Sequence, residues 1–185
     1  MTASGTSVQQ RNEWVLSALD EFEGRLVRYA TRLLGDEDAA RDAVQHAFLR
    51  LCDQSPDELQ GRLAAWLYTV CRNRALDSLR SNGRHETLNG QQSSQLVGRE
   101  RDPAESIERH DLHRCLRGLV SGLPDSQREV IDLWLDGFSY GEIAEVTARS
   151  ETAVRVAAHR ALKRLRHAGQ TRALLDTPES RTAAS

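Results

Sequence analysis

The stretch that decides the fold runs over residues 137–166 and reads GFSYGEIAEVTARSETAVRVAAHRALKRLR. Ser139 and Glu142 stand three residues apart at the start of an apolar run, which is the spacing of a capping box at the beginning of a helix. The turn that follows is formed by residues 147–149, and Ser150 is placed as a second N-cap. Two capped helices at this spacing predict a helix-turn-helix, whose second helix can enter the major groove of DNA.

The second of these helices has a small apolar face and a cationic face. Apolar residues recur at helical spacing and are predicted to face inward: Val154, Ala158, Ala161/Leu162 and Leu165. Residues 150–168 carry five cations against one acid, a net charge of +4, which suits a polyanionic partner. An isolated basic helix is often an ordinary solvated surface. The two caps at helix-turn-helix spacing nevertheless favour DNA binding.

The rest of the chain also has a helical pattern. Apolar residues recur every three to four positions over about 12–34, 36–51 and 58–82. No stretch alternates apolar and polar residues with β-branched enrichment, as a half-buried strand would. The predicted fold class is therefore all-α.

A polar segment divides this helical pattern into two parts. Residues 85–106 have little apolar periodicity, which predicts a flexible linker. The predicted organisation is two small helical domains over 12–84 and 107–168, joined by that linker. A small, polar tail over 169–185 is predicted to be disordered.

Composition excludes several classes of protein. The 185 residues hold 25 Lys and Arg against 27 Asp and Glu, so the position of the charges must decide between partners. No apolar run approaches the roughly 18 residues of a membrane helix, and the N-terminus lacks the pattern of a secretory signal. Three widely spaced cysteines encode neither a disulfide framework nor a zinc ribbon. We therefore expect a cytoplasmic protein with no membrane segment.

The sequence shows no arrangement of residues that indicates catalysis. It contains no Ser/His/Asp signature, phosphate-binding loop or HExxH motif. His110, His113 and Cys115 lie close together, but they share a helix face poorly and a fourth ligand is missing. We expect no catalytic residue, no metal site and no cofactor.

Two blocks of sequence resemble regions of one protein family. Residues 123–130 (LPDSQREV), 137–145 (GFSYGEIAE) and 159–162 (HRAL) resemble region four of bacterial sigma-70-type factors. Residues 38–49 (DAARDAVQHAFL) and 66–77 (WLYTVCRNRALD) resemble region two. Two such regions in this order, with only a linker between them, are the plan of the extracytoplasmic-function (ECF) sigma factors.

The resemblance implies a function in transcription initiation without catalysis. ECF sigma factors bind core RNA polymerase, direct it to specific promoters and help to open the −10 element. The implied partners are core RNA polymerase, through its β′ clamp helices and β flap, promoter DNA and an anti-sigma factor. Control by expression and control by modification also stay open.

The helix around residues 36–51 would, by this resemblance, dock on the β′ clamp helices. Residues 36–58 hold seven acids against two arginines, a net charge of −5 that suits a protein partner better than DNA. The candidate contacts point away from the apolar stripe of the helix. They are Asp42, Gln45, Leu49 and Arg50.

The third helix resembles the element that reads and melts the −10 sequence. Residues 72–84 carry a net charge of +3, and four polar residues at helical spacing share one face. Tyr68 is expected to be exposed and to offer a stacking surface, whereas Trp66 is expected in the core. The loop 54–62 lies where family members capture a flipped base. The predicted −10 contacts are Tyr68, Arg72, Asn73, Arg74, Asp77, Arg80 and Arg84.

By the same resemblance, the second domain would read the −35 element. Family members carry glycine and then an aliphatic residue in the turn, where this chain has Ala148 and Arg149. Alanine lacks the ease of glycine at positive φ, so a less sharp turn is expected. The predicted base contacts are Ser150, Glu151, Thr152, Arg155 and His159. The predicted phosphate contacts, which position the helix without specifying sequence, are Arg149, Arg160, Lys163 and Arg164.

An alternative function is a stand-alone helix-turn-helix transcriptional regulator with an N-terminal sensor or dimerisation domain. A sensor domain gives no reason for the polar, cationic face of the third helix, so this alternative ranks second. A scaffold or an anti-sigma-type interaction protein is a further alternative. The basic recognition helix argues against that class.

Overall fold

A computed structural model describes residues 3–86, 118, 120 and 122–175 of the chain. The regular structure within these residues is helical, which confirms the all-α prediction. The helices are α1 (Ala3–Leu34), α2 (Glu37–Cys52), α3 (Leu63–Glu86), α4 (Asp125–Leu135), α5 (Tyr140–Thr147) and α6 (Glu151–Leu175). Residues 87–117, which include most of the predicted linker, lie outside the described residues. None of the described helices is long and apolar enough to cross a membrane.

The chain divides into two compact units, of which the N-terminal one contains α1, α2 and α3. Each of these helices packs against the other two. The rings of Tyr29 on α1 and Tyr68 on α3 lie 5.0 Å apart between centroids, with their planes tilted by 45°. Both tyrosines are buried, as are Leu26, Leu51 and Leu67. Burial of these large side chains is the main source of stability for the unit.

Local signals set the junction between α1 and α2 as the sequence predicts. Gly35 has a φ of 72° and donates its N–H to the carbonyl of Thr31 at 2.8 Å, which closes the end of α1. Asp36 then caps α2, because its Oδ1 accepts the N–H of Ala39 at 2.7 Å. The apolar stripe of α2 is buried as expected.

The C-terminal unit contains α4, most of α5 and α6, with α4 packed against α6. Leu123, Ile131 and Ala161 form one buried cluster, and Val120 and Leu165 pack against it. Val154, Ala158 and Ala161 of α6 are buried, which confirms these members of the predicted inward face, whereas Leu162 is exposed. Small residues on this face allow α6 to approach α4 closely.

Four helix ends differ from their predicted positions. α3 ends at Glu86 rather than near residue 82, so it includes the first two residues of the predicted linker. α1 begins at Ala3 rather than near residue 12, and it continues through Gly5 although glycine is a weak helix former. α6 continues to Leu175, where a tail was predicted from residue 169, because Arg, Ala and Leu are strong helix formers. α3 begins at Leu63 rather than near residue 58, because Gly61 at a φ of 74° belongs to the preceding turn. Residues 176–185 of the predicted tail lie outside the described part of the chain.

Candidate nucleic-acid interface

Both predicted N-caps of the helix-turn-helix are present. The N–H and the hydroxyl of Ser139 donate to Oε2 of Glu142 at 2.8 and 2.6 Å, and the N–H of Glu142 donates to Ser139 Oγ at 3.3 Å. The hydroxyl bond, reinforced by the backbone bond, holds the pKa of Glu142 below its ordinary value. At α6, the N–H of Ala153 donates to Ser150 Oγ at 3.2 Å. These reciprocal bonds fix where each helix begins.

The turn between α5 and α6 is tight although it lacks a glycine. The N–H groups of Ala148 and Arg149 donate to the carbonyls of Glu145 and Ala144 at 3.3 and 3.0 Å, which is the pattern of a Schellman motif. Ala148 adopts a φ of 53°, while Gly137, at the equivalent position after α4, has a φ of 95°. The expectation of a less sharp turn is therefore wrong. The hydrogen bonds hold alanine in the left-handed region at a cost of about 1 kcal/mol.

Arg149 is engaged inside the C-terminal unit. Its Nη1 donates to the carbonyl of Ser126 at 3.0 Å, and its Nη2 lies 3.5 Å from Oε2 of Glu129. The Arg149 side chain is 29% exposed, and that of Glu129 is 7% exposed. A guanidinium shared between a carbonyl and a buried carboxylate is committed to α4. The prediction of Arg149 as a phosphate contact therefore competes with its bonds to α4 and stays a prediction.

The predicted base contacts Ser150, Glu151, Thr152, Arg155 and His159 are all exposed on α6. Arg155 contacts both a carboxylate and an aromatic ring. Its Nε and Nη2 donate to Oε1 of Glu151 at 3.0 and 2.5 Å, and its guanidinium carbon lies 5.2 Å from the ring centroid of Tyr140. A carboxylate and an aromatic ring thus both contact the guanidinium at the surface of α6.

The remaining predicted phosphate contacts line one side of α6. Arg160, Lys163 and Arg164 are exposed and, with His167, line an open depression of about 640 Å³. Nη1 of Arg164 donates to Oε1 of Gln127 on α4 at 2.6 Å. Arg164 therefore ties α6 to α4 in addition to presenting charge.

Four of the predicted −10 contacts are exposed on α3, and we call them the polar face of α3: Asn73, Arg74, Asp77 and Arg80. Nη1 of Arg80 and Oδ1 of Asp77 form an exposed ion pair at 2.9 Å. Such a surface pair is weak, so its guanidinium can exchange to a phosphate. Arg72 is half-buried, and the side chain of Arg84 lies outside the described part of the structure.

Tyr68 does not belong to the polar face of α3. It is completely buried, in contact with Tyr29, so the expectation of an exposed stacking surface is wrong. The cause is the helical register, because Leu67, Cys71 and Ala75 are buried beside it on the same side of α3. The indole of Trp66, expected in the core, is half-buried instead.

The loop over residues 54–62 consists of successive turns. Leu59 is its buried anchor, and Gly61 allows the chain to reverse into α3. Gln54 and Ser55 are half-buried, while Gln60 is exposed. The loop therefore offers polar groups on a fixed backbone.

The predicted polymerase contacts, which we call the polymerase face, are Asp42, Gln45, Leu49 and Arg50, and all four are exposed on α2. Leu49 is 61% exposed, a large apolar side chain without cover in this unit. The face borders a groove of about 300 Å³ between α1 and α2, whose lining includes Leu19 and Val27. Sequence analysis missed the contribution of α1 to this surface.

The described cysteines do not form a reactive site. Burial raises the pKa of the Cys71 thiol to about 12, so it stays protonated within the core. Cys52 is an exposed free thiol at the end of α2. Over the ranges that the structure describes, no group of three or more His, Cys, Asp or Glu could hold a metal ion. His110, His113 and Cys115 lie outside those ranges.

Comparison with known proteins assigns both units. Residues 19–85 match sigma-70 region 2, and residues 113–165 match sigma-70 region 4. The chain belongs to the sigma-70 family. The two matches follow the order that the sequence predicts, and a stand-alone regulator is not favoured.

Named relatives place this sigma factor in the ECF group. It is 28% identical over 143 residues to the ECF RNA polymerase sigma factor SigK of Mycolicibacterium vanbaalenii, an alignment that covers 75% of this chain and 73% of SigK. It is 27% identical over 145 residues to the ECF RNA polymerase sigma factor SigM of Bacillus subtilis, covering 75% and 85% of the two chains.

A solved structure agrees with this assignment. The sigma factor RpoE from Bartonella quintana, crystallised with the anti-sigma factor NepR, matches with a TM-score of 0.58 and 25% identity. The match covers 88% of this chain and 96% of RpoE. The chain therefore shares the fold of this sigma factor over most of its length.

Two contacts made by predicted DNA-binding residues were missed from sequence. Glu129 binds Arg149 from twenty residues away, and Tyr140 lies beneath Arg155 from the neighbouring helix. The one available signal was the acid at position 129 beside apolar residues of α4, which implies a buried carboxylate with a cationic partner. The sequence contains 24 arginines, and only the packed structure shows which of them is that partner.

Proposed function

We propose that this sigma factor joins core RNA polymerase through the polymerase face of α2, opens the −10 element with α3 and reads the −35 element with α6. It acts in the cytoplasm as a binding subunit rather than an enzyme. The observation that carries the proposal is the guanidinium of Arg155, presented at the surface near the start of the second helix of a capped helix-turn-helix.

The polymerase face supports a protein partner. It combines the exposed Leu49 with charged and amide side chains, beside a groove with an apolar floor. An apolar anchor within a polar rim is the usual composition of a protein interface. The net charge of −5 over residues 36–58 disfavours DNA at this surface.

The polar face of α3 supports contact with the −10 element. Arg74 and Arg80 can neutralise phosphates, and Asn73 can hydrogen-bond with an unstacked base. The neighbouring loop 54–62, with Gln60 exposed, can receive such a base. Tyr68 and Arg149 have no part in this proposal because both are engaged inside their units.

An anti-sigma factor is a further candidate partner. The relative RpoE was solved with the anti-sigma factor NepR. The exposed Leu49 and the adjacent groove give such a protein an apolar surface to cover. A partner that covered this surface would compete with core polymerase.

The −35 assignment is tested by comparing two substitutions on α6. We expect Arg155→Ala to lower holoenzyme selectivity for a cognate over a scrambled −35 sequence by about tenfold, as expected for loss of a base contact. We expect Lys163→Ala to weaken binding to both sequences alike. It should also reduce the slope of log affinity against log salt concentration by about the contribution of one phosphate contact. Fluorescence anisotropy with labelled promoters and reconstituted holoenzyme measures both quantities.

Arg166→Ala is the matched control, since Arg166 is exposed on α6 but outside the predicted contact set. It should leave selectivity unchanged. Equal losses on cognate and scrambled sites for Arg155→Ala would contradict the assignment of Arg155 to base reading.

A further inference from the structure

The first turns of α6, residues 150–155, contain four of the predicted base contacts, and we call them the reading turns. Arg149 immediately precedes them and is bound to α4 at two points. One is the carbonyl of Ser126, and the other is the carboxylate of Glu129. The start of the reading turns is therefore tied to α4 through a side chain rather than through the turn alone.

The carboxylate of Glu129 holds the Arg149 guanidinium against α4. Its side chain is 7% exposed, and a carboxylate taken out of water is tolerated only beside a matching cation. Arg149 supplies that cation from a side chain that is itself largely covered. Because the guanidinium is planar and its donors are fixed in a fork, two acceptors define its orientation.

A second tie holds α6 further along its length. Arg164 donates to Gln127 at 2.6 Å, and the side chain of Gln127 is buried on the same helix as Glu129. Two separated ties between α4 and α6 fix the direction of α6 as well as its position. Supporting bonds of this kind hold the side chains of a binding site close to the geometry that contact with base edges requires.

We propose that Glu129 is a positioning residue for −35 recognition, acting through Arg149 to hold the reading turns against duplex promoter DNA. The inference rests on the proposed function of α6. It assigns Arg149 to selectivity rather than to phosphate affinity, and it gives a functional role to an acid that contacts no DNA. Loss of the Arg149–Glu129 pair leaves the phosphate contacts Arg160, Lys163 and Arg164 in place. It displaces the base contacts of the reading turns.

The test uses holoenzyme reconstituted from the full chain and core polymerase, with promoters mapped for this sigma factor. Glu129→Gln keeps the shape of the side chain and removes its charge, and Arg149→Met removes the guanidinium. We expect each to lower the ratio of run-off transcripts from cognate and −35-scrambled promoters by about tenfold, the size of one weakened base contact. Affinity for non-promoter duplex DNA and its salt dependence should stay unchanged.

A phosphate role for Arg149 makes the opposite forecast. Glu129→Gln would then free the guanidinium and strengthen binding at every sequence, while Arg149→Met would reduce the salt dependence by about one phosphate. Either result, with selectivity intact, would overturn the inference. A wild-type holoenzyme that ignores the −35 sequence would overturn the proposed function, and this inference with it.

A combined variant separates positioning from stability. Ala148→Gly relieves backbone strain in the same turn and is added to Glu129→Gln, with Ala148→Gly alone as the control. We expect the double variant to regain thermal stability and to remain about tenfold less selective than the control. Recovery of selectivity together with stability would show that the pair only holds the fold, and would overturn the inference.

Discussion

At the scale of the residue, Ala148 stores strain in the turn of the helix-turn-helix. Its φ of 53° lies in the region where a Cβ clashes with the backbone, and the Schellman hydrogen bonds hold it there. We predict that Ala148→Gly raises the free energy of unfolding of the C-terminal unit by about 1 kcal/mol. Chemical denaturation of the full chain measures the difference.

Gly137→Ala is the matched control, because Gly137 occupies the same position after α4 with a φ of 95°. A Cβ added there would meet no atom within 4 Å, so the cost is backbone strain alone. This substitution should destabilise the unit by about 1 kcal/mol. An Ala148→Gly variant that is no more stable than wild type would contradict the strain argument.

The capping box should make stability depend on pH. The pKa of Glu142 is lowered in the folded state by the Ser139 hydroxyl and backbone N–H, so its ionised form stabilises α5. That contribution is complete above the unfolded pKa of about 4.3 and is lost as the pH falls through the lower folded pKa. We predict that Glu142→Gln is less stable than wild type at pH 7 and that the difference vanishes in acid.

Thermal unfolding between pH 3 and pH 7 checks this prediction. Glu145→Gln removes the same charge from the same helix outside the capping box and is the matched control. A destabilisation by Glu142→Gln that is constant over the whole range would show that the charge has no part in the cap.

Residue-scale geometry also shows where sequence reasoning fails. The caps at Ser139 and Ser150 depend on residues three apart, so their types and spacing were sufficient to predict them. The pairs Arg149–Glu129 and Arg155–Tyr140 join different helices, so they depend on tertiary packing. Tyr68 was misplaced because a tyrosine suits both a core and a surface.

At the scale of the element, α2 presents a complete surface of its own. Its buried stripe faces α1 and α3, which leaves the polymerase face exposed on the other side. We predict that Leu49→Ser weakens binding to core polymerase by about tenfold, because it removes the apolar anchor without touching the core. Binding to labelled core polymerase measures the loss, and circular dichroism checks the fold.

Leu79→Ser is the control for this substitution, since Leu79 is also an exposed leucine of the N-terminal unit but lies on α3. It should leave assembly with core polymerase close to wild type. Unchanged assembly for Leu49→Ser would remove Leu49 from the polymerase face.

The helix ends agree with the sequence prediction where a capping residue is present, and they differ from it elsewhere. The junction of α1 and α2 was predictable from Gly35 and Asp36. The start of α1 and the end of α6 were not, because both helices continue through a glycine, Gly5 in α1 and Gly169 in α6, where residue type favours an end. The start of α3 depends on the conformation of Gly61, which residue type alone does not give.

At the scale of the whole molecule, a net charge of −2 conceals separate charged surfaces. Residues 36–58 carry −5, whereas residues 72–84 and 150–168 carry +3 and +4. The acidic segment includes the polymerase face, and the two basic segments hold the surfaces proposed to meet the −10 and −35 elements. A net charge close to zero is therefore compatible with a protein that binds both a protein partner and DNA.

The most direct test of the central claim is run-off transcription of genomic DNA with purified core RNA polymerase, with and without this sigma factor. We predict a limited set of new start sites that share two sequence elements, one near −10 and one near −35. Arg155→Ala should reduce the preference for the upstream element while leaving the downstream one in place. Failure to add any start site, or start sites without a shared pair of elements, would contradict the account.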